Sequence, residues 1–585
     1  MTNGTAAGGG PTGLFKVAVA VVVLALIALG VSRFMGRGGG GAGDGGDEAG
    51  RIDPDSLAML AEAPAGGQGV TTVREYNYVP GQRLPPVRGI SNYQALQGDT
   101  PTIKMALNVW AGWAPVIHAN NGFRPGKVWS APGNRRFRLE LVLIDDPVAM
   151  RDAYAAGNVH IGWATLDMLP LMIEGLRRDS RTMPRVYQQI DWSNGGDGIV
   201  CREAVRTMSD LRGKTIVLAQ NSPSHFFALN ALVNAGLQPA DVQWRFTQDA
   251  FQAAAAFNAD RGLACVVSWA PDIYNLSKVR GNRMMVTTAT ANKLIADVWF
   301  ARADFAKDHP QLLEGLVRGI FDSMIRLQEQ AEKQAVSRLM ADGYSISPTD
   351  AFGMLGDAHW TNYAENRDFF LNQNNPTNFE RIWNAAYFLY SKVGAVGPKT
   401  NFDQVMDFSI LQALASEPRY ASQRNEYNAT FAPGTTAAAV QSEAPEILTK
   451  TVVINFFPNS WDLRHRVTRT VDGKAREELY DPNVDNVVEE IGQLAGQYGA
   501  ARIVIEGHTD ASMRGQVPLA FVQELSLNRA NAVRAAVLRK FPDLNPNQFS
   551  TVGMAWDRPA DAAQPSDHAR NRRVEVKVYP AEAAD

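Results

Sequence analysis

The chain has 585 residues, 45% of them hydrophobic, and a formal net charge of −3. That length accommodates roughly three or four domains, and the near-neutral balance gives no footing for nucleic-acid binding. Its two cysteines, Cys201 and Cys265, form no CxxC pair and join no His cluster, which excludes a cysteine-based metal or redox motif.

Residues 1–13 are small and polar, a short N-terminal tail. From Leu14 to Val31 the chain is apolar apart from Lys16. A helix needs about 20 residues to cross the hydrocarbon of a membrane, and this run reaches that with Lys16 snorkelling at its end. The rival reading is a cleaved signal peptide. Arg33 and Arg37 follow the run at once and no Ala-x-Ala site is evident, so a transmembrane anchor over 14–34 is expected. The lysine before the span and the arginines after it leave the local charge bias awkward for orientation. Residues 35–69, rich in Gly, Ala, Asp and Glu, read as a solvated linker. Residues 70–97 carry Tyr76, Tyr78, Pro80, Pro85 and Pro86 and are expected to lie extended across the domain that follows.

From Pro101 onward the periodicity alternates between strand and helix. Strand patterns cover Ile103 to Val109, Arg138 to Ile144 and Val159 to Trp163, with a helix over Pro147 to Gly157. A second round runs Thr215 to Ala219, a helix from Phe226 to Ala235, Val242 to Thr247, a helix over Ala250 to Phe257, then Ala264 to Ser268. Such alternation predicts an α/β domain with parallel sheets. Two rounds joined by the stretch Asp191 to Asp197 predict two lobes and a hinge. Glu314 to Met340 and Phe379 to Val393 read as long amphipathic helices.

Within residues 70–414 several stretches carry a resemblance: Trp110-Ala-Gly-Trp113-Ala-Pro115, Trp163-Ala-Thr165, Gly196-Asp-Gly-Ile-Val200, Ser222-Pro-Ser-His225-Phe-Phe227 and Trp269-Ala-Pro-Asp272. The domain resembles the two-lobe periplasmic solute-binding proteins of the nitrate, sulfonate and taurine type. In open α/β sheets the ligand lies beyond the carboxyl ends of the strands. Those ends supply Trp110, Trp113, Thr165 and Trp269, alongside Asp145, Trp163 and Gln248. They also supply the polar set Ser222, Ser224, His225, Asp249 and Asp272. Aromatics with a few hydroxyl, imidazole and carboxylate groups suit a small polar solute. Ser222 and Ser224, at a helix N-terminus, suit an anionic head group, while Asp145, Asp146 and Asp272 suit an amine or simply face solvent. His359-Trp360-Thr361-Asn362-Tyr363 is a further polar-aromatic cluster. The resemblance also implies that the strand entering a lobe pairs antiparallel with that lobe's third strand. Cys201 and Cys265 then become neighbours, either bridged or buried as free thiols.

Residues 415–447, rich in Ala, Thr, Ser, Gly, Pro and Gln, read as a second linker. After it, Arg502 to Glu506 alternates as a half-buried strand. Glu506-Gly507-His508-Thr509-Asp510 follows its end, then Leu525-Ser526-Leu527-Asn528-Arg529-Ala530, then Asn571-Arg572-Arg573-Val574. Leu525, Val533, Ala536 and Val537 keep helical spacing, with Ser526 expected to cap the first turn and Arg529 inside it. A carboxylate facing an arginine at a helix N-terminus suits a ligand with an ammonium and a carboxylate on one carbon.

These three ordered motifs make residues 448–585 similar to the OmpA-like peptidoglycan-binding domain, itself a small α/β fold. The resemblance implies that Asp510 and Arg529 hold the amine and carboxylate of a diaminopimelate-type stem peptide, with Thr509 and Arg573 beside them. The family's Asn three residues before the Leu of the second motif is Val522 here, which removes one ligand hydrogen bond.

A stator-like ion-motive subunit also joins one span to a wall-binding domain, but such a path needs a carboxylate inside the membrane, and Leu14 to Val31 has none. Pyrimidine-synthesising enzymes share the two-lobe fold yet use a Cys-rich iron-binding stretch that is missing here, and no nucleophile constellation stands out. The expectation is therefore a non-enzymatic binding protein without cofactor or metal, anchored in the inner membrane with its bulk in the periplasm. Its partners would be a peptidoglycan stem peptide, a small-molecule solute and a membrane transporter or sensor subunit. The alternative is a stator-like or structural envelope protein whose two-lobe domain is a spacer.

Overall fold

The computed structural model describes residues 78–79, 81–471, 474–566 and 568–581. The expected tail, anchor and Gly-rich linker lie outside them. Among the described residues no helix is long and apolar enough to cross a membrane.

A two-residue strand β1 (Tyr78–Val79) precedes β2 (Thr102–Leu107), β3 (Val128–Ala131), β4 (Arg135–Leu143), β5 (Ile161–Thr165) and β6 (Pro184–Ser193). The chain crosses at 194–196 into β7 (Asp197–Arg202), β8 (Thr215–Ala219), β9 (Gln243–Thr247), β10 (Cys265–Trp269) and β11 (Asn282–Thr287). It returns through 288–295 to β12 (Ala296–Arg302) and β13 (Ala358–Trp360). Lobe one is a seven-stranded sheet in the order β13-β6-β12-β5-β2-β4-β3, and lobe two a six-stranded sheet in the order β1-β9-β8-β10-β7-β11. The strands beside helices, β4-β2-β5 and β9-β8-β10, are parallel as the alternation predicts. The strands that carry the chain between lobes, β6, β7, β11 and β12, pair antiparallel instead. A chain that leaves a lobe and re-enters it must run the connecting strands against the sheet.

Cys201 and Cys265 stand directly opposite on the antiparallel β7 and β10 and are joined as a disulfide. The expected helix over Glu314 to Met340 is two helices, Pro310–Arg326 and Gln330–Tyr344. Buried Leu327 turns the corner, which Glu332 pins by bonding both Arg326 (2.7 Å) and His118 (2.9 Å).

Residues 81–97 form no regular element and run as a strap over both lobes. Gln82 N–H donates to Gln220 in lobe two (2.7 Å), Val87 packs on Gly175 in lobe one, and Arg302 Nη2 donates to the Ser91 carbonyl (2.8 Å). Residues 415–447 lie against the folded domains. Tyr420 is buried with its hydroxyl on Asp322 (2.8 Å), and the amides of Glu426 and Tyr427 donate to Glu365.

The C-terminal domain stacks β14 (Leu448–Val453), β17 (Arg502–Gly507), β18 (Phe549–Gly553) and β19 (Arg573–Tyr579) in the order β14-β19-β17-β18, with a hairpin of β15 (Arg466–Val471) and β16 (Lys474–Leu479) set apart. Helices Val484–Gln497 and Leu519–Lys540 pack together, and Leu519–Lys540 lies on the sheet. The domain meets lobe two through Asn230 to Gln497 (3.0 Å) and Met208 N–H to the Ile447 carbonyl (3.0 Å). It meets the return crossing through Lys293 N–H to the Gln497 carbonyl (3.2 Å). It also meets helix Phe379–Lys392, which touches helices of both lobes, through Arg381 to Glu489 (2.6 Å).

Candidate functional site

Two places gather the residues singled out above. In the C-terminal domain, β17 delivers Asp510 just past its end, where the carboxylate accepts from Ser512 N–H (2.6 Å). Its ion pair is with Arg572, and His568 Nδ1 lies 3.3 Å away. Burial alone would raise the Asp510 carboxyl, but the Ser512 bonds and the Arg572 charge hold it below the usual range. Arg573 turns the other way, to Glu575 (2.7 Å) and the Arg558 carbonyl (3.1 Å), so the arginine at this site is Arg572 rather than the expected Arg573. Arg572 lies in the bend between helix His568–Asn571 and β19, whereas Arg573 opens β19.

Arg529 is buried, lies over the Phe456 ring (4.8 Å to the centroid) and donates from Nε to the Ser460 carbonyl (3.1 Å). Burial, helped by the nearby Arg572 charge, lowers its pKa to about 10. Its Nη1 and Nη2 make no hydrogen bond among the described residues. The helix carrying it begins at Leu519, so Arg529 sits well inside rather than in the first turn, and Ser526 bonds back to the Gln523 carbonyl (2.9 Å) rather than capping. Pro518 at the N-cap, followed by an unbroken helical run with Val522 and Leu525 buried, moves the start upstream. The favourable partner for an anion is therefore the guanidinium alone, without the helix terminus. Thr509 is buried, with its hydroxyl unpartnered. Gly507 of the motif is required by packing: a Cβ there would lie 2.0 Å from the Ser526 carbonyl oxygen.

Beneath this site a second buried knot forms. Glu506, His508 and Glu575 bring ligand-type atoms within 4.8 Å of one another. Lys577 (3.6 Å) and Arg558 (3.9 Å) approach Glu506, Arg573 binds Glu575, and Gln441 donates to Glu506 (2.7 Å). Charge is balanced by the protein's own groups.

Between the lobes the expected residues scatter. Trp110 lies in the cleft with Nε1 donating to both Asp191 oxygens (3.1 and 3.3 Å) and its ring against Gly196. Thr165 ends β5 with a buried, unpartnered hydroxyl. Trp269 ends β10 and meets Phe251 edge-on. Asp272 is fully buried at the start of helix Asp272–Ser277. Trp113 is core: it is fully buried and its Nε1 donates to Asn108 (2.7 Å). Asp249 is a helix cap, accepting from Gln252 N–H (2.8 Å). Ser222 donates to the Ala219 carbonyl (2.8 Å), whereas Ser224 is buried with its hydroxyl unpartnered. His225 is packed among Trp244, Phe246 and Tyr390, and burial drives its pKa down to about 3. It lines a 490 Å³ pocket with the strap residues Gly81 to Arg83.

Unflagged in the sequence are four buried aspartates from separate elements: Asp167 after β5, Asp191 near the end of β6, Asp197 at the start of β7 and Asp297 in β12. Asp297 pairs in register with both Thr165 and Asp191, so these three side chains share one face of lobe one. Burial pushes Asp167 and Asp197 up to about 7. The Thr165 hydroxyl works against that rise at Asp167, and Ser193 donates to Asp197 (2.7 Å). Burial also raises Asp191 and Asp297; the Asp191 charge adds to Asp297 and the two carboxyls share a hydrogen bond, while the charge of Asp197 raises both. A signal was present for Asp297, an acid inside the apolar run Ala296 to Ala301.

Residues 188–333 match the NMT1/THI5-like family and residues 475–573 the OmpA family. Over 233 residues the chain is 26% identical to the taurine-binding periplasmic protein of Escherichia coli strain K12, covering 39% of this chain and 67% of that protein. Over 98 residues it is 34% identical to outer membrane porin F of Pseudomonas fluorescens, spanning 17% of this chain and only 28% of the porin. A putative periplasmic sulfonate-binding protein of Methylobacillus flagellatus KT aligns over 56% of this chain and 99% of its own, at 15% identity and a TM-score of 0.42. The chain thus joins a two-lobe domain similar to the NMT1/THI5-like family to a C-terminal domain that matches the OmpA family.

Proposed function

We propose that this chain is a binding protein of the cell envelope, whose two lobes take a small polar solute and whose C-terminal domain grips the stem peptide of peptidoglycan. The observation that carries the reading is the wall site. Arg529 keeps a guanidinium edge without a protein partner beside the unpartnered Thr509 hydroxyl and the Asp510 carboxylate. An ammonium carboxylate meets complementary groups there. The taurine-binding relative supports the solute half, and the disulfide between Cys201 and Cys265 supports an oxidising compartment. An anchor at 14–34 in the inner membrane and delivery to a transporter or sensor complete the proposal.

The test is sedimentation of the full chain with purified peptidoglycan. Asp510→Ala and Arg529→Ala are each expected to weaken it by about tenfold or more, because each strips one pole of the ligand of its partner. Undiminished pulldown by both folded variants would sink the wall assignment.

A further inference from the structure

We propose that the interlobe cleft selects solutes carrying an organic ammonium group, held by Asp167, Asp191, Asp197 and Asp297 with the Thr165 hydroxyl. This rests on the solute-binding reading and narrows it. The four carboxylates are 5% exposed or less, and among the described residues none of them forms an ion pair with a lysine, arginine or histidine. Four buried acids without a counter-charge are unstable as anions; they hold protons or take up a cation.

A second observation, a hydroxyl beside Asp167 that meets no partner within hydrogen-bonding geometry, also points to a ligand. The Thr165 hydroxyl, 4% exposed, has no partner and projects from the same face as Asp297 and Asp191. Both oxygens of Asp167, fully buried, are likewise without a hydrogen bond. Buried polar atoms are nearly always bonded, so these are donors and acceptors held ready.

The class of cation follows from spacing and surroundings. A single metal ion needs several oxygens converging within coordination distance. Among the described residues the only trio with such convergence is Glu506, His508 and Glu575, far along the chain in the other domain. Carboxylates spread across two lobes, with Trp163 two residues along β5 from Thr165 and facing the same side, suit an organic ammonium that meets both charge and aromatic surface. Gly112 fits this arrangement, because a Cβ there would run into the Asp191 carboxylate.

The experiment uses the full chain and three matched pairs that differ only by an amine in place of a hydroxyl: taurine and isethionate, alanine and lactate, ethanolamine and ethylene glycol. Calorimetric binding is measured for each, on the unaltered protein and on Asp297→Asn and Thr165→Val. The expected result is that amine members alone bind, or bind at least about tenfold tighter than their twins. Asp297→Asn should then lose at least about tenfold in affinity while its unliganded melting temperature does not fall; a merely structural acid would lower the melting temperature. Thr165→Val should weaken the same ligands should the Asn variant misfold. If the hydroxyl twins bind as well as the amines, the lobes bind solutes but the ammonium assignment is overturned. If amines bind unchanged to both variants, it is equally overturned. If no member of any pair binds, the solute reading falls and this inference with it.

Discussion

Two of the places where the described chain buries acidic groups treat them in opposite ways. In the C-terminal domain Glu506 and Glu575 are surrounded by Lys577, Arg573, Arg558 and His508, so the charges are compensated within the fold. Between the lobes the Trp110 indole bonds Asp191 and the Ser193 hydroxyl bonds Asp197, but among the described residues none of the four aspartates pairs with a cation. In the first arrangement the charges are offset by the fold's own cations. The second leaves the unliganded fold carrying an uncompensated cost that a bound cation relieves, which is what a receptor site requires.

Breaking the compensated centre should have the largest effect. Lys577→Met leaves Glu506 buried with less positive charge and is expected to destabilise the protein by about 3 kcal/mol or more in urea unfolding at neutral pH. Asp297→Asn is expected to leave stability unchanged or to raise it by about 1–2 kcal/mol, since burial and the charges of Asp191 and Asp197 already disfavour the ionised carboxylate there. Equal losses in the two variants would erase the distinction.

The two centres should also respond to pH with opposite sign. Asp167 and Asp197, pushed up to about 7, keep protons in the folded chain that the unfolded chain releases near 3.8. Unliganded stability therefore falls as pH rises from about 4 through about 7. Glu489, held down to about 2 by Arg381 and Lys540 against its burial, and Glu506, held below its ordinary value, behave the other way. Their contribution is present above the unfolded value of 4.5 and is lost as pH falls through their folded values. Unfolding measured from pH 3 to 8 should show both limbs. Asp197→Asn should flatten the neutral one and Glu506→Gln the acid one; a neutral limb untouched by Asp197→Asn would contradict the assignment.

The smallest effect sharpens the boundary between adjacent residues. Arg572 is 40% exposed in its side chain and pairs with Asp510, whereas Arg573 is 3% exposed and pairs with Glu575. Arg572→Ala should cost less than about 1 kcal/mol, as exposed ion pairs do, while Arg573→Ala should cost more because it strips the compensated centre. Denaturation midpoints of the two variants compare them directly.

What could be read in the sequence divides along the same line. Asp510, Arg529 and Gly507 lie in contiguous motifs, and local spacing was enough to place them together. The motif marks Ser526 as a cap, whereas Pro518 and the apolar run after it set the helix start at Leu519. The parallel strands follow from periodicity; the antiparallel pairing of β7 with β10 is implied by the resemblance alone, since register between distant segments leaves no local mark. The acidic quartet is assembled from the ends of four elements spread over 167–297, so only the fold brings it together. Ser222, Asp249 and Trp113 show the converse error: positions at strand ends whose side chains are consumed by capping, backbone bonds and core packing.

The contacts of the C-terminal domain have a mechanical consequence. It is fastened to lobe two at Gln497 and Ile447, to the return crossing at Lys293, and to a helix shared by both lobes at Glu489. Rotation of one lobe against the other about the crossings changes the separation of those anchoring points, so at least one set of contacts must slip. If the C-terminal domain grips the wall as proposed, a pull transmitted through it is felt at the hinge. By thermodynamic reciprocity, whatever settles in the cleft alters how firmly the domain is held, and tension and occupancy become two inputs to one equilibrium.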